Sequence, residues 1–332
     1  MDYVNLGSSG LKISRIALGC MSFGKPGTGR DWSLDSDAAE PLFRQAIELG
    51  ITLWDTANVY GQGTSEEITG EAITRYTSRD EIVLATKLFG PMGSGPGGGG
   101  LSRRAIFEQL DASLCRLGTD WIDLYQIHRF DPHTPVEETM EALHDAVTQG
   151  KVRYLGASSM WAWQFSKMQY TAELHGWTRF ISMQDQYNLV AREEEREMFG
   201  LLADQGVGSL PWSPLAAGLL ARPWGDRSTT RGNSNPTTDS SGTPLFFDTD
   251  RGTVDAVRRI AEQRGVSMAQ VAMAWVLRNP VVDAPIVGAT KPHHITDAVS
   301  ALELELTDDE VRALEEHYTP RRPTYYASES GY

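Results

Sequence analysis

The chain has 332 residues, 40% of them apolar and 22% charged, ordinary proportions for a folded globular protein. Its 44 acidic against 30 basic residues leave a formal charge of −14, which argues against a surface built to neutralise nucleic-acid phosphates. A small anionic ligand held by a few local cations is still compatible with that charge.

Two cysteines, Cys20 and Cys115, show neither metal spacing nor a disulfide framework, so a reducing cytoplasm is the expected compartment. No apolar run approaches the ~20 residues needed to span a bilayer. Ala17-Leu18-Gly19-Cys20 has the look of a lipoprotein cleavage site, but no apolar segment precedes it and Asp2 comes before any basic residue. At about 150 residues per domain the length suggests two domains, yet a closed α/β barrel can use all of it as one.

In chain order, 4–6 and 12–14 around Ser8-Ser9-Gly10 predict a hairpin closing the bottom of a barrel. A first strand follows at 16–19. The segment 36–50 carries Ala39, Leu42, Phe43, Ala46 and Ile47 on one helical stripe, with Gly50 as its stop, and runs into a strand at 51–55. After a strand at 82–86, Ser102 opens a helix carrying Ile106, Leu110, Leu114 and Leu117, closed by Gly118 before the strand at 122–127. Thr134-Pro135-Val136-Glu137 reads as a capping box with proline in the first helical position. Met140, Leu143 and Val147 make that helix's buried face, and Gly150 ends it.

Further strands are expected at 152–157, 180–184, 207–211 and 284–287, which makes eight. Most gaps fit one helix each, since a strand-helix-strand unit needs about 30 residues. The last gap is longer and holds a polar run at 222–242, then helical stretches near 253–264 and 267–278. Eight alternating units predict a single (β/α)8 TIM barrel domain over 1–332, with an N-terminal hairpin and a long loop and extra helix between strands 7 and 8.

Active sites of such barrels lie at the carboxyl ends of the strands. Those positions here are Gly19, Asp55, Lys87, His128, Ser158 and Ser159, Gln184, Trp212 and Ser213, then Thr290 and Lys291. Taken singly, Asp55 reads as a turn former, Lys87 as a solvated lysine and His128 as a satisfied core histidine. Their joint placement on one rim favours a site. Tyr60 lies five residues beyond Asp55 and can fold back over that rim. A phenol with a reference pKa near ~10 is a poor acid at neutral pH. A neighbouring ammonium, itself held by a carboxylate, would make it a better one.

Asp55-Thr-Ala-Asn-Val-Tyr60-Gly, Ala85-Thr-Lys87, Asp123-Leu-Tyr-Gln-Ile-His128 and Gly156-Ala-Ser-Ser159 resemble the aldo-keto reductase superfamily. Gln184-Asp-Gln-Tyr-Asn188, Trp212-Ser-Pro-Leu215 and Pro285-Ile-Val-Gly-Ala-Thr-Lys291 extend the likeness over nearly the whole chain. It is most similar to the bacterial aryl-alcohol-dehydrogenase-like branch, which is related to potassium-channel β subunits.

The resemblance implies NADP(H)-dependent reduction of aldehydes and ketones on a barrel without a Rossmann domain. Tyr60 would be the general acid, Lys87 its activator, Asp55 the holder of Lys87, and His128 the group orienting the carbonyl. Ser158, Ser159 and Gln184 would hold the nicotinamide amide, and Trp212 would stack on the ring. Ser213, Leu215 and Gly218 would approach the pyrophosphate. Thr290, Lys291 and His294 would sit at the 2′-phosphate and Asp297 near the adenine, with Gly19 and Gly288 completing the cofactor set.

The segment 219–252 becomes a candidate cover for the dinucleotide, and 319–332 a C-terminal tail. Phe23, Phe89, Arg129 and Trp161 follow strands on the same rim and could line a pocket for aryl or other hydrophobic carbonyls. The expected partner is a small carbonyl substrate, with neither nucleic acid nor membrane, and a homo-oligomer stays open.

Three positions depart from the family's pattern: Ala298 and Asp185 where Asn is common, and Trp212 where Tyr is frequent. Gly93-Ser-Gly95-Pro-Gly-Gly98 matches the dinucleotide fingerprint but is separated from both strand and helix, and so reads as a loop. The channel-subunit likeness supplies a rival reading, a regulatory protein that binds NADP(H) tightly and turns over slowly.

Overall fold

The apolar runs expected to be strands line up side by side. The structure, a computed structural model, describes residues 1–25, 27, 28, 31–95, 97–226, 228 and 245–323. A hairpin of β1 (Tyr3–Asn5) and β2 (Lys12–Ser14) is followed by eight parallel strands. These are β3 (Ala17–Gly19), β4 (Leu53–Asp55), β5 (Val83–Leu88), β6 (Ile122–Ile127), β7 (Val152–Ser158), β8 (Phe180–Gln184), β9 (Gly208–Ser209) and β10 (Ile286–Gly288). Their order is β10-β3-β4-β5-β6-β7-β8-β9.

The ring closes between the ends of that order through backbone bonds from Ser209 N to Val281 O (3.1 Å) and from Ile286 N to Pro211 O (2.8 Å). Arg15 reinforces the seam, donating to the carbonyls of Val282 (2.7 Å) and Leu277 (3.2 Å). The fold is the expected (β/α)8 barrel.

Helices α1 (Ser36–Glu48), α2 (Thr64–Tyr76), α3 (Arg103–Leu117), α4 (Val136–Thr148), α5 (Ala162–His175) and α6 (Met198–Gln205) cross between strands. Between β9 and β10 come α7 (Arg251–Arg264) and α8 (Met268–Leu277), so the long gap does hold an extra helix. After β10 follow α9 (Pro292–Ser300) and α10 (Asp308–Glu315). The stripe of α1 buries Ala39, Leu42, Phe43 and Ala46, and truncating Leu42 or Phe43 to alanine would cost about 3–5 kcal/mol.

The ends of α3 form as expected: Ser102 Oγ accepts from Ala105 N, and Gly118 closes the helix in the left-handed conformation. The start of α4 does not. Pro135 is the N-cap residue rather than the first helical one, and no side chain caps that end. The Thr134 hydroxyl is drawn instead to Asp131 Oδ2 at 2.8 Å, because that carboxylate also collects Leu101 N and His133 N.

Alternate strand residues point into a barrel, and register decides which of them meet. A lower layer of Leu6, Ile13, Ala17, Leu53, Ala85, Leu124 and Ile286 is apolar, sealed from below by the hairpin. Two residues further along, β4, β5 and β6 present Asp55, Lys87 and Gln126, and β7 and β8 end in Ser158 and Gln184. Lys87 is level with Gln126, Gln126 with Gly156, and Ser158 with Gln184. Gly156 leaves the room they need: a Cβ there would lie 2.9 Å from Gln126 Cγ and 2.6 Å from Ser182 Oγ.

Candidate active site

The upper layer is a polar network sunk into the barrel mouth. Lys87 is fully buried and donates to Asp55 Oδ2 (2.5 Å), to Thr56 O (2.9 Å) and to the Tyr60 hydroxyl (3.4 Å). Burial alone would pull its ammonium down, but the Asp55 carboxylate, with Tyr60 beside it, overcomes that and holds Lys87 above its ordinary value. Asp55 Oδ1 accepts from Gln126 Nε2 (2.9 Å) and Gln184 Nε2 (3.0 Å), and Gln184 also donates to Gln126 Oε1 (3.0 Å). All of these bonds but the one between the two glutamines involve the Lys87 ammonium or the Asp55 carboxylate, the stronger kind inside a protein.

Tyr60 begins the tight turn after β4, half-buried at the rim. Its ring meets His128 edge-on, with centroids 5.7 Å apart. The four residues expected to do the chemistry are therefore assembled by β4, β5 and β6. Arg129 turns back to donate to the His128 carbonyl at 2.5 Å.

A second group lies on β7, β8 and the segment after β9. Ser158 Oγ donates to Gln184 O (2.7 Å) and lies 3.2 Å from Ser159 Oγ, while Trp212 Nε1 donates to Ser159 Oγ (3.0 Å). Gln184 thus belongs to both groups. Among the described residues, the non-glycine residues with positive φ are Gln62, Phe89, Ser159, Ser213, Ala216 and Ala217. All lie on loops beyond strand carboxyl ends, where backbone strain is kept only if the surroundings enforce it. Ser213, Ala216, Ala217 and Gly218 (φ +93) turn the chain after Trp212. The left-handed φ at Gly218 favours glycine there, and the Arg222 guanidinium lies close above it, 2.3 Å from where a Cβ would be.

At the far side, Lys291 is exposed and is the N-cap residue of α9, whose N-terminus adds partial positive charge. Thr290 N donates to His294 Nδ1 at 3.3 Å. Gly288 is exposed at the end of β10 and Leu215 is half-buried. Asp297 accepts from Ser267 Oγ at 3.1 Å, bracing the start of α8. The buried Ala298 packs into the core.

One expected rim residue points elsewhere, and another has a packing role of its own. Phe23 does not line the mouth: it is fully buried, 4.6 Å from Phe43 in the aromatic cluster that also holds Trp54. Gly19 is a packing glycine, since a Cβ there would sit 2.9 Å from Ile286 Cγ2 on the neighbouring strand. Phe89, Arg129 and Trp161 remain half-buried on the rim. Within the candidate cover 219–252, residues 227 and 229–244 lie outside the described residues, as does 324–332 of the tail. The described ends of both are joined by the Arg321–Asp250 ion pair.

Gln126, Thr56 and Asp185 are site residues that motif reading passed over. A lone glutamine inside the apolar strand 122–127 was the available signal for the first. Asp185 is buried and accepts from Ser159 N at 3.1 Å.

A parallel barrel with a carboxylate-held ammonium against a phenol at its carboxyl-end rim is built for proton transfer to or from a small oxygen compound. The sequence profile described as "Aldo/keto reductase family" matches residues 15–319. The chain belongs to the aldo/keto reductase family, and its reaction class is carbonyl oxidoreduction. It is 44% identical over 339 residues to the versiconal hemiacetal acetate reductase of Aspergillus parasiticus, covering 97% of this chain and 98% of that one. It is also 44% identical to the aldo-keto reductase dtxS3 of Metarhizium robertsii, over 97% and 92% of the two chains. A Schizosaccharomyces pombe protein, C977.14c, whose name assigns it provisionally to the aryl-alcohol dehydrogenases, is 43% identical over 96% of each.

Proposed function

We propose that this protein is an NADP(H)-dependent reductase of aldehydes and ketones, with Tyr60 as the proton donor. One observation carries the reading: the buried Lys87 ammonium is held by Asp55 and lies 3.4 Å from the Tyr60 hydroxyl. As a carbonyl oxygen takes the Tyr60 proton, that ammonium stabilises the charge left on the phenolic oxygen, in a site largely shielded from water. His128, edge-on to Tyr60, is the group placed to donate to the same oxygen.

The nicotinamide supplies the hydride when bound. Ser158, Ser159 and Gln184 offer hydroxyl and amide groups for its carboxamide, and Trp212 a flat ring for its face. The left-handed turn at 213–218 suits a pyrophosphate approaching backbone and Arg222. Lys291, at the start of α9, suits the extra phosphate of NADP(H) over NAD(H). Phe89 and Trp161 favour aryl or other hydrophobic carbonyls, as do relatives named for aryl alcohols. Both cysteines are free thiols, which suits a reducing cytoplasm.

The test is NADPH absorbance with 4-nitrobenzaldehyde, wild type beside Tyr60→Phe. The expected result is turnover by wild type and a loss of about 100-fold or more in the variant, with NADPH binding retained. Tight NADPH binding without turnover by either protein would overturn the reductase in favour of a cofactor-sensing subunit.

A further inference from the structure

Asp185 is the buried ionisable side chain beneath the site that the chemistry above does not use. It follows Gln184 directly and is 1% exposed. Its Oδ1 accepts from Ser159 N (3.1 Å) and its carbonyl accepts from Trp212 N (2.8 Å). Ser159, at φ 45, is one of the strained residues of the rim, and Trp212 in turn donates to Ser159 Oγ (3.0 Å). Asp185 therefore holds the Ser159 peptide by its side chain and the Trp212 peptide by its main chain, and Ser159 in turn holds the indole that faces the expected nicotinamide position.

The other oxygen, Asp185 Oδ2, is buried, no N–H group of the described residues donates to it, and the Glu194 carboxyl lies within hydrogen-bonding reach of this side chain. The charged groups that face this carboxyl are Glu194, itself 6% exposed on the loop before α6, and Arg129 from the end of β6. Glu194 also borders a cavity lined by Gln186, Val190, Ala216 and Phe246, with Glu193, Arg321 and Arg322 across it. That cavity gives a proton a route between solvent and the pair.

We propose that Asp185 is a positioning residue for the nicotinamide, locking Ser159 and Trp212, and that its juxtaposition with Glu194 makes the lock pH-sensitive. Two carboxylates side by side in a buried place cannot both stay ionised without strong repulsion. Burial first, and Glu194 second, push the Asp185 carboxyl well above its ordinary range, so that the pair keeps a proton where a solvated aspartate would not. With that proton present, Glu194 and Asp185 are compatible neighbours and Oδ1 remains an acceptor for Ser159. When it is lost at higher pH, the two carboxylates repel, and the loop 185–194 pulls on the Ser159 peptide.

The inference rests on the reading that Ser158, Ser159 and Gln184 receive the nicotinamide, so its tests include one that needs no cofactor. Asp185→Asn keeps the acceptor oxygen and removes the titration, whereas Asp185→Ala removes the side-chain acceptor and leaves Ser159 N with the Gln184 carbonyl alone (3.2 Å). In the apoprotein, wild type should lose thermal stability relative to Asp185→Asn as pH rises from 5, because the folded state keeps a proton that the unfolded chain has already given up, and the loss should level off once the folded pair ionises. Between pH 7 and 9, NADPH should bind wild type about 10-fold more weakly at the upper end, and Asp185→Asn with a much flatter profile. Asp185→Ala should raise KM for NADPH about 10-fold, with a smaller fall in kcat, and the asparagine variant should restore it.

Identical pH profiles for wild type and Asp185→Asn in both measurements would overturn the pH-sensitive lock. An unchanged KM in Asp185→Ala would overturn the positioning role, and if that variant does not fold, the asparagine profiles decide alone. Absence of NADPH binding to any of the proteins at any pH would instead refute the cofactor reading, and the positioning role with it, while the apoprotein stability comparison still judges the carboxyl pair.

Discussion

Gln184 donates its side-chain amide to Asp55 Oδ1 at 3.0 Å, so the residue proposed to hold a nicotinamide is wired to the carboxylate that holds the buried lysine. Gln126 makes the companion bond to the same oxygen at 2.9 Å. The two glutamines share an acceptor but face different ligands, and substitution should separate them. Gln126→Leu weakens the hold on Asp55 and removes one acceptor of Gln184, which keeps its own bond to Asp55, so the expected result is a fall of about 10-fold in kcat with a smaller change in cofactor Kd. Gln184→Leu should change both. A Gln126→Leu enzyme that lost cofactor affinity and kept kcat would show that the network serves binding.

Lys291 stands at the head of α9 in a chain of net charge −14, and its local positive potential is what the proposed 2′-phosphate site rests on. Lys291→Ala should reduce the preference for NADPH over NADH by about 10-fold, with NADH affinity little affected. Direct titration of both cofactors measures this. An unchanged ratio would move the 2′-phosphate elsewhere.

Strands and most helices were legible because burial writes itself into the sequence as period two or 3.6. The site was legible for a related reason: Asp55, Lys87, His128 and Gln184 each end an apolar strand, and a barrel brings strand ends together. What stayed hidden depended on neighbours in space. Phe23 sits on the rim in sequence, yet Phe43 and Trp54 draw it into the core. Thr134 has the spacing of a cap, but Asp131 is the nearer partner. Gln126 gains its meaning only from a register that sets it beside Lys87 and opposite the space left by Gly156.

The two cysteines should differ sharply towards alkylation. Cys20 is fully buried just beyond β3, and burial pushes its thiol up to about 12. Cys115 is exposed on α3. Since the thiolate is the reacting form, iodoacetamide at pH 8 should label Cys115 and leave Cys20 intact until the protein unfolds. Mass mapping of the labelled native protein checks this, and early labelling of Cys20 would mean that β3 and the turn after it open readily.

Glu310 joins the last helix to the barrel wall and gives a stability prediction with a definite sign. Its carboxylate takes a two-pronged bond from Arg264 at the end of α7 (2.7 Å to each oxygen) and also accepts from Thr307 N (2.7 Å), closing a reciprocal cap on α10. Arg264 above all, with Thr307, holds Glu310 down at about 2 from an ordinary 4.5. A carboxylate depressed by folding contributes its stability above the unfolded value and loses it as pH falls through the folded one. The contribution of Glu310 is therefore complete above about 4.5 and disappears towards about 2. Both partners are partly exposed, so solvent screening limits it to at most about 1 kcal/mol, or roughly 2 °C in Tm for a chain of this size. Glu310→Gln keeps the cap and removes the charge. Its Tm should lie below that of wild type at pH 7, and the gap should narrow steadily as pH is lowered from 4.5. A gap that persisted unchanged at pH 3 would assign the loss to packing of α10 rather than to the ion pair.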